Sequence, residues 1–212
     1  MILSILNFKG GAGKSTLATN AARGLQLAGY TVRVVDSDPQ GTALDWAEMQ
    51  QESDGFPIVT GATLPKALVR VVKDMKQLAD AVVIDGAAKA TDMNIAAIRV
   101  SQVVLIPVQP SAADIWAASD LIELIKDRQE LMEGTPLAAF VVSRQILGSN
   151  LAGDVQEALE SFGIPIFQAR TSQRVVFAEA LAQGKTVLDI NPASKASGEI
   201  RAIVNELIEW VS

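Results

Sequence analysis

The sequence predicts an α/β protein whose mostly parallel central sheet of about seven to eight strands carries helices on both faces. Short apolar runs alternate with longer segments of helical period along the chain. Several runs, such as VVLIPV and AVVID, are apolar at successive positions, as in strands that are covered on both faces. The chain shows no internal repeat and no Pro-, Gly- or Ser-rich linker, so residues 1–212 are predicted to form one domain.

The strands are predicted from the apolar runs, and the last of them has the weakest signal. In chain order they are Ile2–Asn7, Val32–Asp36, Pro57–Thr60, Ala81–Asp85, Val103–Val108, Leu137–Ser143 and Ile164–Gln168. Because strands alternate with helices, we expect right-handed crossovers between parallel strands.

The helices are predicted from apolar residues at helical spacing between the strands. The first helix is followed by Gly29, a residue type that commonly ends helices, and Ser111 is a candidate cap for the fifth. Gly184–Ser194 is predicted to be an irregular surface loop. In chain order the helices are Ser15–Leu27, Thr42–Gln51, Leu64–Leu78, Asp92–Val100, Ala112–Glu130, Leu151–Ser161, Gln173–Ala182 and Ser194–Val211.

Composition excludes several kinds of site. The 18 Lys and Arg residues against 24 Asp and Glu give a net charge of −6, so any contact with nucleic acid must use a local patch. The chain has no Cys or His, which removes thiolate chemistry and the commonest general base and metal ligand. No apolar run is long enough for a transmembrane helix, and the apolar N-terminus lacks the basic region of a signal peptide, so a cytoplasmic location is expected.

The stretch GGAGKST connects the first predicted strand to the first predicted helix. Its glycines allow backbone N–H groups to turn toward phosphate oxygens, and the helix N-terminus adds partial positive charge. Lys14 can reach the β- and γ-phosphates, and the Ser15 hydroxyl can bind Mg²⁺. A glycine-rich turn with no ligand is the alternative interpretation. The predicted nucleotide-binding residues are Lys9, Gly10, Gly11, Ala12, Gly13, Lys14, Ser15 and Thr16.

The order KGGAGKST resembles the deviant Walker A motif of the ParA/MinD family of ATPases. The resemblance implies a P-loop NTPase fold, ATP/ADP and Mg²⁺ as cofactors, Mg²⁺-dependent ATP hydrolysis, and a homodimer that forms on ATP binding. It also implies that Lys9 is the signature lysine, which reaches across the dimer to the partner's phosphates and acts in catalysis with Lys14. From the residues alone, Lys9 is also compatible with a solvated loop charge.

Aspartates follow two of the predicted strands. Asp36 ends the second strand within VVDSDPQ, Asp38 lies in the turn after it, and Asp85 ends AVVID. Ligands of open α/β sheets lie beyond the carboxyl ends of the strands, so these carboxylates are expected near the phosphate loop. By the resemblance, Asp38 is a catalytic residue that positions the hydrolytic water, and the metal-site residues are Ser15, Asp36 and Asp85. Turn and N-cap chemistry is the alternative for Asp36 and Asp38.

Two further segments resemble the family with less specificity. Many relatives carry a proline three residues after the aspartate at the Asp85 position, whereas this chain has Ala88, so a looser turn is expected there. The segment PVQPS resembles the family's P-x-x-P-S segment, and no catalytic role is assigned to it. The resemblance covers nearly the whole chain and is closest to the small ParA type, which lacks an N-terminal DNA-binding domain.

The function that the resemblance implies is the positioning or segregation of DNA or another cargo, as in plasmid or chromosome partition. The ATP-bound dimer would bind DNA without sequence preference, and a ParB-like or small adaptor protein would stimulate hydrolysis and release it. The expected location is therefore cytoplasmic and nucleoid-associated. A solvated basic face is the alternative for the candidate DNA-binding residues, which are Arg170, Arg174, Lys195 and Arg201.

Two other functions use the same fold. A MinD-like protein would bind membrane through its last helix, but EIRAIVNELIEWVS carries Glu199, Glu206 and Glu209 against Arg201, and its apolar stripe indicates core packing. Membrane is therefore not expected as a partner. A metabolic P-loop enzyme would need a second substrate pocket, and the sequence shows no motif for one. The identity of the cargo is left open among plasmids, chromosomes, chemoreceptor clusters and carboxysomes.

Overall fold

A computed structural model describes residues 1–50, 55–89, 91–146 and 151–212, and these ranges contain six strands and ten helices. The strands are β1 Ile2–Ile5, β2 Val32–Asp36, β3 Ile58–Gly61, β4 Ala81–Asp85, β5 Val103–Val108 and β6 Leu137–Val142. The helices are α1 Lys14–Leu27, α2 Thr42–Glu48, α3 Pro65–Lys76, α4 Thr91–Val100, α5 Ala112–Trp116, α6 Ser119–Leu131, α7 Leu151–Glu160, α8 Val175–Ala182, α9 Val187–Ile190 and α10 Lys195–Val211.

The strands form one parallel sheet in the order β3-β2-β4-β1-β5-β6. The register brings the ends of the central strands level with one another, since Asp85 is paired with Ile5 on one side and with Asp36 on the other. The loop that follows β1 and the two aspartates therefore meet at the carboxyl edge of the sheet, where open α/β sheets bind ligands.

Alternate residues of the strands pack into two separate apolar layers, which confirms the predicted α/β class. On β4, the side chain of Ile84 belongs to the layer that contains residues of α3, α4, α6 and α7. The side chain of Val83 belongs to the opposite layer, which contains residues of α1, α8, α9 and α10. Burial of both faces explains why the central strands are continuously apolar rather than alternating.

The prediction of seven to eight strands is wrong for the part of the chain that the structure describes. The segment Ile164–Gln168, predicted as the weakest strand, makes only an isolated bridge in which Phe140 faces Ile166. The Phe140 N–H donates to the Pro165 carbonyl at 2.8 Å, and the Phe167 N–H donates to the Phe140 carbonyl at 2.9 Å. Proline has no N–H to donate, so Pro165 weakens this segment as a ladder partner.

The predicted helix Ala112–Glu130 is instead two helices, α5 and α6. The break follows Trp116, whose carbonyl accepts a hydrogen bond from the Ser119 hydroxyl at 2.7 Å. Such a side-chain bond competes with continued helical pairing. The predicted cap is confirmed, because the Ser111 hydroxyl accepts from the Asp114 N–H at 3.2 Å.

The predicted loop Gly184–Ser194 contains the short helix α9, which the prediction missed. A capping box explains this helix, since Thr186 and Asp189 each bond the other's backbone. The other helix ends either coincide with the prediction or differ from it by one or two residues where the structure describes them, and residue 51 at the predicted end of the second helix lies outside the described residues.

Candidate active site

The loop between β1 and α1 has the backbone conformation that an anion site needs. Gly11 and Gly13 have φ values of 77° and 94°, which are left-handed and favour glycine. Gly13 is the N-cap of α1 and gives it no side-chain cap. The N–H groups of the first turn, which begins at Lys14, are thus available to an anion at the positive end of the helix dipole.

Side chains that directly follow β5 and β6 hold the carbonyl groups of this loop. The Gly11 carbonyl accepts from Gln109 Nε2 at 2.9 Å and from Arg144 Nη1 at 3.1 Å. The Ala12 carbonyl accepts from the Ser143 hydroxyl at 3.0 Å. These bonds fix the loop without a ligand and leave its N–H groups for phosphate oxygens. The sequence did not identify the three donors as site residues, because they follow other strands and meet the loop only in the folded sheet.

Lys14 lies under the loop rather than in solvent. Its residue is 6% exposed, and its Nζ donates to the Lys9 carbonyl at 3.1 Å. Burial lowers the pKa of the ammonium, while the charges of Asp85 and Asp38 act in the opposite direction. The cation is therefore held beside two carboxylates, at the start of the helix that faces the phosphate position.

Asp36 is fully buried and bonded by the backbone of the next loop. Its Oδ1 accepts from the Asp38 N–H at 3.0 Å, and its Oδ2 accepts from the N–H groups of Ala43 at 2.9 Å and Leu44 at 3.0 Å. Burial raises the pKa of this carboxyl, and the three N–H donors oppose that shift. Asp36 is not the N-cap residue of α2, which is Gly41, but it accepts from two N–H groups of the first turn of that helix, as a capping side chain would. Its place in the metal shell remains a prediction, and its visible effect is to fix the position of Asp38.

Asp38 links the loops that follow β2 and β4. Its Oδ1 accepts from the Gln40 N–H at 3.0 Å, and its Oδ2 accepts from the Ala88 N–H at 3.1 Å. A proline at residue 88 could not make the second bond, because proline has no N–H. The expectation of a looser turn at Ala88 did not allow for this bond, which ties the turn to a candidate catalytic carboxylate.

Asp85 is the residue of this site that most clearly lacks a partner. It is fully buried, and neither carboxylate oxygen has a hydrogen-bond partner among the described residues. Burial raises its pKa to about 7, while the hydroxyl of Ser15, which is nearby but outside hydrogen-bonding geometry, and the Lys14 ammonium act to lower it. Buried carboxylates are normally paired or bound to metal. Oxygen ligands suit Mg²⁺, so Asp85 and Ser15 fit a magnesium site.

Lys9 contacts its own subunit in this structure. Its Nζ lies 2.6 Å from Asp114 Oδ2, and the lysine side chain is 37% exposed. The sequence did not single out Asp114, although its position three residues after Ser111 marked it as part of a capped turn. The role of Lys9 across a dimer remains a prediction.

A cavity of about 300 Å³ opens beside the phosphate loop. Its wall is mainly apolar and includes a few polar and charged side chains, among them Arg144, which bonds the loop. The wall includes Gly13, Thr16, Leu17, Arg144, Phe177 and Leu181. This combination suits a flat apolar ring attached to a charged chain.

The four candidate DNA-binding residues lie on α10 and on the segment before α8. Arg174 is paired with Glu199 of α10 at 2.8 Å, so its charge is balanced. Arg201 donates to the Pro192 carbonyl at 2.7 Å, and Arg170 donates to Gln145 Oε1 at 3.4 Å. Lys195 begins α10 and is exposed. Arg174 is therefore a poorer candidate than the other three.

The sequence profile described as the CobQ/CobB/MinD/ParA nucleotide binding domain matches residues 3–187. The chain is 31% identical to "Maintenance of carboxysome distribution protein A" of Halothiobacillus neapolitanus over 212 aligned residues, covering 97% of this chain and 95% of that protein. It is 27% identical to "Chromosome-partitioning ATPase Soj" of Thermus thermophilus, covering 99% of this chain and 96% of that protein.

A solved structure has a similar fold. The septum site-determining protein MinD of Pyrococcus horikoshii, complexed with Mg-ADP, superposes with a TM-score of 0.78. The sequences are 20% identical, and the superposition covers 100% of this chain and 97% of that one. The predicted fold class is thus confirmed by comparison as well as by the sheet itself.

Removing the buried charge of Asp85 is expected to stabilise the protein in the absence of nucleotide and Mg²⁺. The folded pKa of about 7 lies above the unfolded value, so the folded state binds more protons and wild-type stability falls as pH rises from about 4 to 7. Asp85→Asn removes this titration. Its gain in unfolding free energy should be about 2 kcal/mol larger at pH 8 than at pH 5, as measured by urea denaturation in EDTA.

Asp74→Asn is the control, because Asp74 is an exposed aspartate on α3. It should show no comparable difference between the two pH values. An Asp85→Asn gain that is equal at pH 5 and pH 8 would contradict the assignment of a buried, unpaired carboxylate.

Proposed function

Because the chain belongs to the CobQ/CobB/MinD/ParA nucleotide-binding family, we propose that it positions DNA or another cargo by dimerising on ATP and separating after hydrolysis. The protein is an ATPase of the cargo-positioning type, like the relatives that it resembles over nearly its whole length. The finer parts of the proposal concern the dimer, the DNA surface and the partner that stimulates hydrolysis.

The observation that carries the proposal is the unpaired Asp85 carboxylate beside Ser15 and Lys14. A metal–triphosphate supplies the charges that this arrangement lacks. The uncapped first turn of α1 receives phosphate oxygens, and Lys14 is near enough to the loop to neutralise them. The Ser15 hydroxyl and the Asp85 carboxylate would hold Mg²⁺, which offsets charge on the phosphates.

The cavity beside the loop would hold the adenine ring. Thr16 and Leu17 bring the wall of the cavity directly onto the first turn of α1, so a base there is continuous with phosphates at the loop. Phe177 and Leu181 offer apolar contact from α8. The size and mainly apolar lining of the cavity support a purine rather than a larger acceptor molecule.

Asp38 would orient the water that attacks the γ-phosphate. Its carboxylate is fixed from two loops, by the N–H groups of Gln40 and Ala88. A carboxylate held in this way can align a water and accept its proton as the bond to phosphorus forms. Lys9 of one subunit would neutralise the phosphates of the other, so that closing the dimer completes both sites.

Burial disfavours the membrane alternative. The apolar stripe of α10 packs into the core through Ile200, Ile203, Val204 and Leu207, and it is not offered to a lipid surface. No helix among the described residues is both long and apolar enough to cross a bilayer. The surface to which the protein is proposed to bind is instead non-specific DNA. The residues proposed to contact it are Arg170, Lys195 and Arg201.

The relatives indicate the class of cargo that this protein would position. One relative is named for carboxysome distribution and the other for chromosome partition. The proposed cargo is accordingly a DNA complex or a large protein assembly, and the proposed partner is a ParB-like or small adaptor protein that is bound to the cargo.

The dimer is tested with Lys14→Ala, Lys9→Ala and Asp38→Ala. Lys14→Ala should lose nucleotide binding, and Lys9→Ala should bind ATP as a monomer. Asp38→Ala should dimerise with ATP but hydrolyse it about 100-fold more slowly, since it keeps the binding groups and loses the group that orients water. Light scattering after size-exclusion chromatography, with ATP and with ADP, measures the dimer. If Lys9→Ala dimerises like wild type, the cross-subunit role is wrong.

DNA binding is tested with Lys195→Glu, because Lys195 is exposed and has no balancing carboxylate among the described contacts. The ATP-bound dimer of this variant should bind DNA more weakly, and its logarithmic salt slope should fall by about one for each lost phosphate contact. Lys73→Glu on α3, which packs on the opposite face of the sheet, is the matched control. An unchanged slope for Lys195→Glu would remove this residue from the DNA surface.

Ala88→Pro should lower the rate of ATP hydrolysis about tenfold, because Asp38 loses a charge-assisted hydrogen bond that holds one of its oxygens. Ala88→Gly keeps the N–H and should remain close to wild type. Steady-state phosphate release measures both variants, with the KM for ATP expected to change little. Equal turnover of Ala88→Pro and wild type would show that the bond does not position Asp38 for hydrolysis.

A further inference from the structure

The carboxylate of Glu199 on α10 binds two residues of the segment between α7 and α8. Its Oε1 accepts from the Ser172 hydroxyl at 2.8 Å and from Arg174 Nη2 at 2.8 Å. Its Oε2 accepts from the Ser172 N–H at 3.1 Å. Ser172 is 7% exposed and the Glu199 side chain is 18% exposed, so water competes little for these charge-assisted bonds.

The segment that Glu199 binds forms part of the wall of the cavity beside the phosphate loop. Thr171 and Gln173 line the cavity, whereas Ser172 and Glu199 are not part of the wall that the described residues form. Ile200, which directly follows Glu199 in α10, also lines the cavity. Glu199 therefore holds the wall from outside the cavity, at the residue between two residues of the wall.

Arg174 is a wall residue that Glu199 holds by its side chain. It lines the cavity, and its Nε and Nη2 both donate to Glu199 Oε1, at 3.2 Å and 2.8 Å. Two donors on one planar guanidinium restrict its rotation, which a single donor would not do. The orientation of this polar group of the wall thus depends on Glu199.

A second element holds the same segment by its backbone. The Thr171 carbonyl accepts from the Gln145 N–H at 2.8 Å, and the Gln173 N–H donates to the Gln145 carbonyl at 3.0 Å. The N–H of Ser172, between them, donates instead to Glu199. Loss of the Glu199 carboxylate would therefore loosen the wall and leave the segment attached to the chain that follows β6.

We propose that Glu199 is a positioning residue for the base of the bound nucleotide, because it holds the wall that the base would contact. The proposal rests on the proposed function, in which this cavity holds the adenine ring. It deepens that function by assigning part of the affinity for the base to a residue of α10 outside the cavity. A wall that is ordered before nucleotide arrives lowers the cost of binding, and only a ligand with a base gains from it.

The test compares ADP with inorganic pyrophosphate, which has the two phosphates of ADP without its base and ribose. Isothermal titration calorimetry in Mg²⁺ buffer measures the affinity of each. Glu199→Gln should bind ADP about fivefold more weakly, because it loses the charge of the group that holds the wall. It should bind pyrophosphate as wild type does. Ser172→Ala, which loses the hydroxyl bond to Glu199, should bind ADP about threefold more weakly and pyrophosphate normally.

Glu206→Gln is the matched control, because Glu206 makes a similar pair of bonds from the same helix. Its two oxygens accept from the N–H groups of Gln168 and Ala169, both at 2.8 Å. Neither of these residues belongs to the wall of the cavity as the structure describes it. The control should bind both ligands like wild type. An equal loss of ADP affinity in Glu206→Gln would mean that any loosening of α10 has this effect, and the specific role of Glu199 would be wrong.

The wild-type affinities separate this proposal from the proposed function. If wild type binds ADP no more tightly than pyrophosphate, the cavity does not hold the base, and both that part of the proposed function and this proposal fail. If wild type prefers ADP and Glu199→Gln with a native circular dichroism spectrum keeps the same preference, the base site stands and the role of Glu199 is overturned. Should Glu199→Gln not fold, an unchanged preference in Ser172→Ala would overturn the role of Glu199 as well.

Discussion

The structure depends on one electrostatic constraint, which is that ionised groups are collected at the carboxyl edge of a sheet that is buried on both faces. Asp36 and Asp85 end neighbouring strands and are fully buried, and Lys14 lies under the loop from β1, where the charges of Asp85 and Asp38 act on it. The backbone satisfies Asp36 through three N–H groups, whereas Asp85 has no partner among the described residues. The described residues give this carboxyl no hydrogen-bond partner, and under the proposed function a metal bound to phosphate would complete the site. The same buried groups therefore determine both nucleotide binding and the stability of this edge of the sheet.

The sequence predicted the parts of this site that are local in the chain. The glycines and Lys14 are adjacent to β1, and each aspartate directly follows an apolar run, so the strand–loop–helix order was enough to bring them together. Gln109 and Ser143 could not be predicted in this way. They act on the loop only because β5 pairs with β1 and β6 pairs with β5 in the sheet, and that order is set by packing of the whole domain. The α/β class was predictable from apolar runs for the same local reason, but the strand number was not. A segment such as the one at Pro165 has the composition of a strand and lacks the donor for a full ladder.

At Ala88, the effect of a departure from the family pattern can be understood only from the structure. In the sequence, alanine in place of proline reads as a loss of stiffness in a turn. In the fold, the N–H of Ala88 bonds one carboxylate oxygen of Asp38 while the N–H of Gln40 bonds the other, so the turn has a specific hydrogen bond in place of a stiff ring. Stiffness of the backbone and restraint of a side chain are alternative ways to hold the same carboxylate. Backbone stiffness can be read from the sequence, because proline is visible there. Restraint of a side chain can be recognised only when the structure gives the distance between two loops.

A division between fixed backbone and movable side chains runs through the whole site. The loop carbonyls are held by side chains that directly follow β5 and β6, and the backbone of Lys9 is held by Asn7 and Lys14. The phosphate position therefore exists before nucleotide arrives, and little ordering of the backbone has to accompany binding. The Lys9 side chain, by contrast, is 37% exposed, and its ammonium is held by a side-chain contact with Asp114. Under the proposed function, the charge of a bound nucleotide would act on the association of two subunits through this ammonium group, while the sheet and the loop stay as they are.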